Sequence, residues 1–516
     1  MAGNVDLLLW LLMGYTIVTS VAVVTVGRLS DMFGRVRLYN MGFAIFSFAS
    51  ILIYASSYLI HGSAGVMSIT LLRLLQGLGA AFLFANSAAI LTDAFPANER
   101  GTALGINQIA AVGGSLAGML IGGWLAAIDW HLVFLISVPI GVIGTVWAYM
   151  ALRELATIRK NQKIDVPGNV AFAIGVALIL LSLTYGIVPF GGSTTGWSNP
   201  LVLWGIAIGA VMLLAFVLIE LRTPDPMFHL YLFRIRAFAA GNISLFLAGM
   251  ARGGLQFMLI IWLQGIWLPL HGVNFESTPL QAAIYMIPLI VGFLAAGPAS
   301  GYLSDRYGAR LFSTAGMIVN VAGFLLLATL PANFVYWQFA AIIFMLGVGQ
   351  GMFAAPNTAA VMTSVPPEYR GVSSGMRATL MNVSFMFSLV VFFSLLILGL
   401  SQQLPHALYA GLVAQGVPSA TATQISSLPP SAAMFAAMLG YNPMKTMIPQ
   451  NAIDALPQQN IDTIYGNNFF PGLISGAFIA GMHIVLYVGA LMAFIAAIAS
   501  ALRGRGAPAA HGAHHK

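Results

Sequence analysis

Gly27-Arg-Leu-Ser-Asp31-Met-Phe-Gly34-Arg35-Val-Arg37 returns 274 residues later as Gly301-Tyr-Leu-Ser-Asp305-Arg306-Tyr-Gly308-Ala-Arg310-Leu. Each copy is a short basic turn between two long apolar runs. The repeat continues: Gln76-Gly77 recurs as Gln350-Gly351, again 274 residues on. Pro96-Ala-Asn-Glu99-Arg100-Gly101 recurs as Pro366-Pro-Glu368-Tyr-Arg370-Gly371 at an offset of 270. Such parallel repeats build membrane transporters whose two bundles rock about a midplane site.

Composition agrees. The 516 residues are 59% hydrophobic and 7% charged, where a soluble protein carries about a quarter charged residues. Lipid is therefore the solvent for most of this surface. Cysteine is absent, which removes disulfides and thiolate metal sites. A net charge of +7 would suggest nucleic acid in a soluble chain. Here the basic residues crowd into one set of loops, so we expect no nucleic-acid partner.

A helix needs roughly 20 apolar residues to cross the hydrocarbon core. Thirteen runs qualify: 7–26, 38–60, 66–92, 102–127, 131–152, 168–189, 200–221, 238–268, 279–302, 311–331, 336–364, 371–401 and 472–502. They are too long and too uniformly apolar for barrel strands. If the turn at 27–37 is cytoplasmic, 17 of the 21 Lys and Arg fall on that side. That is the bias expected of a cell-membrane protein. It puts the C-terminus inside and residue 1 outside. The expected organisation is a five-helix N-terminal bundle (1–152) and a two-helix linker hairpin with its loops (153–237). A six-helix C-terminal bundle (238–502) and a cytoplasmic tail (503–516) follow. The stretch 402–471 reads as an external cap of short helices. Two spans precede the second turn but only one precedes the first. Repeat symmetry thus leads us to expect that one helix is missing ahead of residue 1.

The pattern G-x-L-x-D-x-x-G-x-x-R between apolar helices resembles the signature loop of the major facilitator superfamily. Leu72-Arg73-Leu-Leu-Gln76-Gly77-Leu-Gly79, Gly114-Ser-Leu-Ala-Gly118-Met-Leu-Ile-Gly122-Gly123 and Leu232-Phe233-Arg234-Ile-Arg236 narrow the likeness to its fourteen-helix drug:proton antiporter branch. The resemblance implies an all-α integral membrane fold of two bundles, with 13 transmembrane helices here against 14 in the family. It also implies that Gly27, Asp31, Gly34, Arg35, Arg37, Gly301, Asp305, Arg306, Gly308 and Arg310 latch the cytoplasmic side. Arg73 matches the arginine that the family uses in proton movement. The first copy departs from the pattern at Met32 and Val36, where basic residues are usual, so its charge network is expected to be the thinner. Met119 stands where the family's glycine motif has proline, which weakens the link to antiport.

The residues alone add further expectations. Gly27 and Gly301 suit close helix approach, and Asp31 and Asp305 suit a facing helix N-terminus. Arg73, Arg252 and Arg377 lie within spans, where a charge costs at least ~3 kcal/mol and faces a cavity or a partner. Gln76, Asn107, Gln350 and Asn357 are candidate cavity-lining polar groups. Gly114, Gly118, Gly122 and Gly123 form a glycine face suited to helix packing. All 14 Asp and Glu lie near span ends or in loops, leaving His483 as the titratable candidate inside a span.

No phosphate-binding loop, dinucleotide fingerprint or zinc-protease motif is present. We expect no enzyme activity, no cofactor and no metal. The expected protein is a monomer in the lipid bilayer that exports small amphipathic compounds, as in multidrug efflux, in exchange for protons. Two alternatives stay open: a lipid or lipid-linked exporter, and a non-transporting sensor or scaffold.

Overall fold

The computed structural model describes residues 2–95, 100–155, 165–186, 190–191, 193, 196–223, 226, 228–366, 369–438 and 442–504. The 96–99 half of the later repeated stretch, position 368 and the tail beyond residue 504 lie outside the described residues. So do the side chains of Asp31 and Asp305.

The apolar runs fold as helices because lipid offers no partner for an exposed backbone group. The first half comprises α1 (Ala2–Phe33), α2 (Arg35–Leu59), α3 (Gly62–Ala94), α4 (Arg100–Ile128), α5 (Leu132–Leu135) and α6 (Ser137–Ala151). A hairpin follows, α7 (Val166–Gly186) and α8 (Pro200–Glu220). The second half begins with α9 (Arg236–Trp262), which continues through a π-turn into α10 (Leu268–Leu270). Next come α11 (Thr278–Tyr285), α12 (Ile287–Tyr307), α13 (Ala309–Leu327), α14 (Tyr336–Thr363) and α15 (Arg370–Ala414). Short helices α16 (Ser419–Ser426), α17 (Pro430–Met438), α18 (Met444–Met447), α19 (Gln450–Ile453) and α20 (Gln458–Tyr465) lead to α21 (Phe469–Ala501).

Among the described residues, eleven helical segments are long and apolar enough to cross a membrane. The other two runs fall in α1 and α4, where the qualifying apolar stretches are the shorter Gly14–Val23 and Ala110–Leu125. α2 packs on α3 and α6, and α1 on α3. In the second half α12 and α13 pack on α14, and α9, α15 and α21 pack on one another. The halves meet along two seams, α1 with α15 and α4 with α11 and α12.

The hairpin does more than join the halves. α7 packs on both α1 and α15, beside the first seam. Thr25 Oγ1 donates to Asn169 Oδ1 at 2.6 Å and Trp10 Nε1 donates to the Tyr185 hydroxyl at 2.9 Å. The rings of Phe172, Phe216 and Phe228 meet at 5.1–5.8 Å at its base.

The run expected to end at 401 does not stop there: α15 reaches Ala414. At 1.5 Å per residue its 45 residues span about 67 Å, roughly twice the hydrocarbon thickness. The excess carries the short helices. Leu404, Leu408, Leu412, Ile425, Met434 and Ile464 are fully buried with Trp262 and Ile266 of the second half in one apolar core. The 402–471 stretch is thus packed onto the end of α9 as an extension of that core.

Candidate functional site

Both copies of the repeated turn break the chain between two helices at a glycine. Gly34 has φ 102° and Gly308 φ 90°, a conformation that L side chains rarely adopt. These, rather than Gly27 and Gly301, are the glycines the backbone requires. A Cβ on Gly27 would meet nothing within 4 Å, and one on Gly301 only Ala355 at 3.6 Å. The expected close approach at Gly27 is absent because no helix packs against that face.

The first turn is tied down by two carboxylates. Arg35 pairs with Asp93 at the end of α3, at 2.5 Å. The Val36 N–H donates to Glu154 Oε2 at 2.9 Å, which covers an orphan donor at the start of α2. Arg37, Arg306 and Arg310 stand exposed. The first copy, expected to hold the thinner network, holds the pairs seen among the described residues, because its partners come from α3 and the end of α6 rather than from the turn. Neither Asp93 nor Glu154 was singled out in the sequence: 58 and 118 residues separate each from its partner.

Further along the helices lie the intramembrane arginines. Arg73 donates to Gln76 Oε1 at 2.9 Å, and Gln76, 2% exposed, donates to Ser50 Oγ at 2.8 Å. The Arg73 guanidinium lies over the rings of Tyr15 and Phe134, at 5.1 and 5.9 Å. Arg377 donates to Thr358 Oγ1 at 2.6 Å. Ser87 and Asn107 make the equivalent α3–α4 contact at 3.3 Å, so the repeat extends to this pair. Arg252 keeps an exposed side chain between buried Ala251 and Leu255, and its guanidinium lies 5.4 Å from the Phe293 ring centroid on α12. Arg252 is thus a charged group open at mid-helix, over a ring of a seam helix.

Other expected cavity residues are placed elsewhere. Asn357 is fully buried: it donates to the Gly241 carbonyl at 3.2 Å and accepts from Arg503 Nη2. It locks α9, α14 and the end of α21 together. Arg503, counted in the sequence only as a topology signal, is the residue missed there. His483 is half-buried and shares a face of α21 with Tyr487, 55% exposed, four residues on; α21 packs on α9, α13 and α15 of its own half. Gln350 is half-buried.

The glycine face of α4 also departs from expectation. A Cβ on Gly114, Gly118 or Gly122 would meet nothing within 4 Å, while Gly123 abuts the Leu280 backbone of α11 at 3.3 Å. Only its last residue packs a helix, because α4 meets the other half at that level.

Two helical halves built on one repeat, most of their helices long and apolar enough to cross a membrane, are the architecture of a membrane transporter. The chain belongs to the Major Facilitator Superfamily, whose profile matches residues 3–167 and 164–389. It is 30% identical over 397 residues to riboflavin transporter RibZ of Clostridioides difficile, covering 76% of this chain and 80% of that one. It is 25% identical over 505 residues to multidrug transporter protein MdtP of Bacillus subtilis, covering 96% and 86%. Methyl viologen resistance protein SmvA of Salmonella typhimurium is 28% identical over 436 residues, 82% of each chain. Among solved structures, an auto-inhibited POT family peptide transporter aligns with TM-score 0.51 at 14% identity, over 85% of this chain and 88% of that one. That last likeness concerns the fold alone.

Proposed function

We propose that this protein is a secondary active exporter of amphipathic organic compounds, working by alternating access and coupled to protons by antiport. The observation that carries it is the turn repeated at Gly34 and Gly308, with one backbone conformation at equivalent ends of both halves. Matching hinges on two bundles that meet along only two seams suit a rocking motion. In this reading the turns and the C-terminus face the cytoplasm of a cell-membrane protein, and the packed 402–471 cap lies outside, where it steers the outer opening.

The multidrug transporter among the relatives supports export of varied compounds. Riboflavin, in the name of one other, is a flat aromatic molecule, in keeping with the Tyr15, Phe134 and Phe293 rings that attend the arginines; methyl viologen, in the name of another, is a flat aromatic dication. Proton coupling rests on the family resemblance.

The test is the whole chain reconstituted in liposomes, with a panel of flat aromatic dyes and a fluorescent lipid, under an imposed pH gradient. Dye movement that a protonophore abolishes is the expected result. Movement of the lipid alone would select lipid export. Folded protein that moves nothing would overturn the transporter reading in favour of a sensor.

A further inference from the structure

Three arginines stand well inside the membrane-spanning helices of this protein. Arg73, Arg252 and Arg377 occupy three helices, α3, α9 and α15, and none makes an ion pair among the described residues. Arg73 is held by an amide and two rings, Arg377 by a hydroxyl, and Arg252 by a ring. The Nε donors of Arg73 and Arg377 are buried with no acceptor. Among the described residues no Asp or Glu lies in the middle of a membrane-spanning helix. A cation within a membrane span without a counter-charge is costly, and no carboxylate meets these three among the described residues.

Their placement is graded. At 1.5 Å per residue, Arg377 stands about 10 Å, Arg252 about 24 Å and Arg73 about 31 Å along its helix from the end that carries the repeated turns. The helices converge: α15 packs on α9 and also touches α3, and α1, which bears Tyr15, packs on both α3 and α15. The result is a staggered set of guanidinium forks, two of them with a free donor, beside aromatic rings. A guanidinium offers a planar donor pair matched to a carboxylate or a similar oxyanion, and its flat face stacks on π systems. A cation crossing the same space would meet like charge at each level and no carboxylate.

We propose that these arginines line the passage between the halves and that it takes organic anions, flat aromatic bodies bearing a carboxylate or sulfonate, in preference to lipophilic cations. This rests on the export reading above and narrows its substrate class. It also supplies a driving force that needs no titrating carboxylate. With the inside negative, a potential of 100 mV favours one outward-moving anion by roughly 50-fold.

The test uses the full chain in liposomes under an imposed potential and pH gradient, with carboxyfluorescein as the anion and ethidium as the cation. Flux of the anion about tenfold or more above that of the cation, each corrected for protein-free liposomes, is expected. Arg252→Gln should lower the anion-to-cation ratio about tenfold, and Arg252→Lys, which keeps the charge, should restore most of it. Circular dichroism and thermal melting establish that each variant is folded. Ethidium moved in preference to carboxyfluorescein overturns the anion assignment and leaves export standing. A ratio unchanged by Arg252→Gln overturns it too. If folded wild-type protein moves neither dye nor any of the wider panel, both readings fall.

Discussion

Asp129 shows what one exposed side chain does at the end of this molecule opposite the turns. Tyr58, at the end of α2, donates its hydroxyl to the Asp129 carboxylate, and His131 bonds the same group through Nδ1 and its backbone N–H, the latter at 3.0 Å. The imidazole stacks on the Tyr58 ring at 4.2 Å. The Tyr58 hydroxyl first, then His131, hold the carboxyl down at about 2, below its ordinary 3.8. A carboxyl depressed in the folded state stabilises the protein above its ordinary value and ceases to do so as pH falls through the folded one. The contribution of the Asp129 carboxylate should therefore be present in full above about pH 5 and fade between about pH 4 and 2. Asp129→Asn should lower the melting temperature at neutral pH and flatten that acid limb. A variant that melts like the parent at pH 7 would show that the cluster does not tie α2 to the α4–α5 turn. The arginines show the opposite legibility. Arg73, Arg252 and Arg377 were visible in the sequence because a charge in an apolar run is rare and costly. Arg503 was not, because its partner Asn357 is 146 residues away.

At the scale of elements, the repeated turn separates two uses of glycine that one motif conceals. Gly34 sits where a side chain is strained, and its Cβ would lie 2.7 Å from Glu154 Oε2. Gly34→Ala should cost about 1–3 kcal/mol. Gly27 lies inside α1 with open space around it, so Gly27→Ala should be neutral or stabilise the helix by about 0.5–1 kcal/mol. If the two bundles close on Gly27 during the transport cycle, that alanine will melt no lower than wild type yet transport more slowly. Thermal melting and dye flux on the two variants check this, and equal melting of both would refute the distinction. Helix existence was legible throughout, because apolar runs of this length have no other fold in lipid. Element ends were not. α15 runs past position 401 because the packing of Leu404, Leu408 and Leu412 supplies what the run of apolar residues no longer did.

For the whole molecule, the central claim is which end faces which side. The absence of cysteine makes this directly testable with single cysteines. Arg306→Cys, in the exposed last turn of α12, should react with an impermeant maleimide only in inside-out vesicles. Lys445→Cys, in the cap, should react only from the outside of intact cells. Labelling of both from one side would overturn the two-ended arrangement. The sequence by itself determined the helical membrane class, the two-fold repeat and the one-sided distribution of basic loops. Hydropathy and charge are local properties, and the lipid acts on each segment alone. Tertiary structure alone decided the partners. It placed Arg35 on Asp93 and Asn357 on Arg503, set His483 beside Tyr487, left most of the α4 glycine face open, and laid the hairpin on α1. Each depends on which faces of distant helices come together, and in lipid that choice is made by shape and polar pairing between helices, which the hydropathy of either helix alone does not encode.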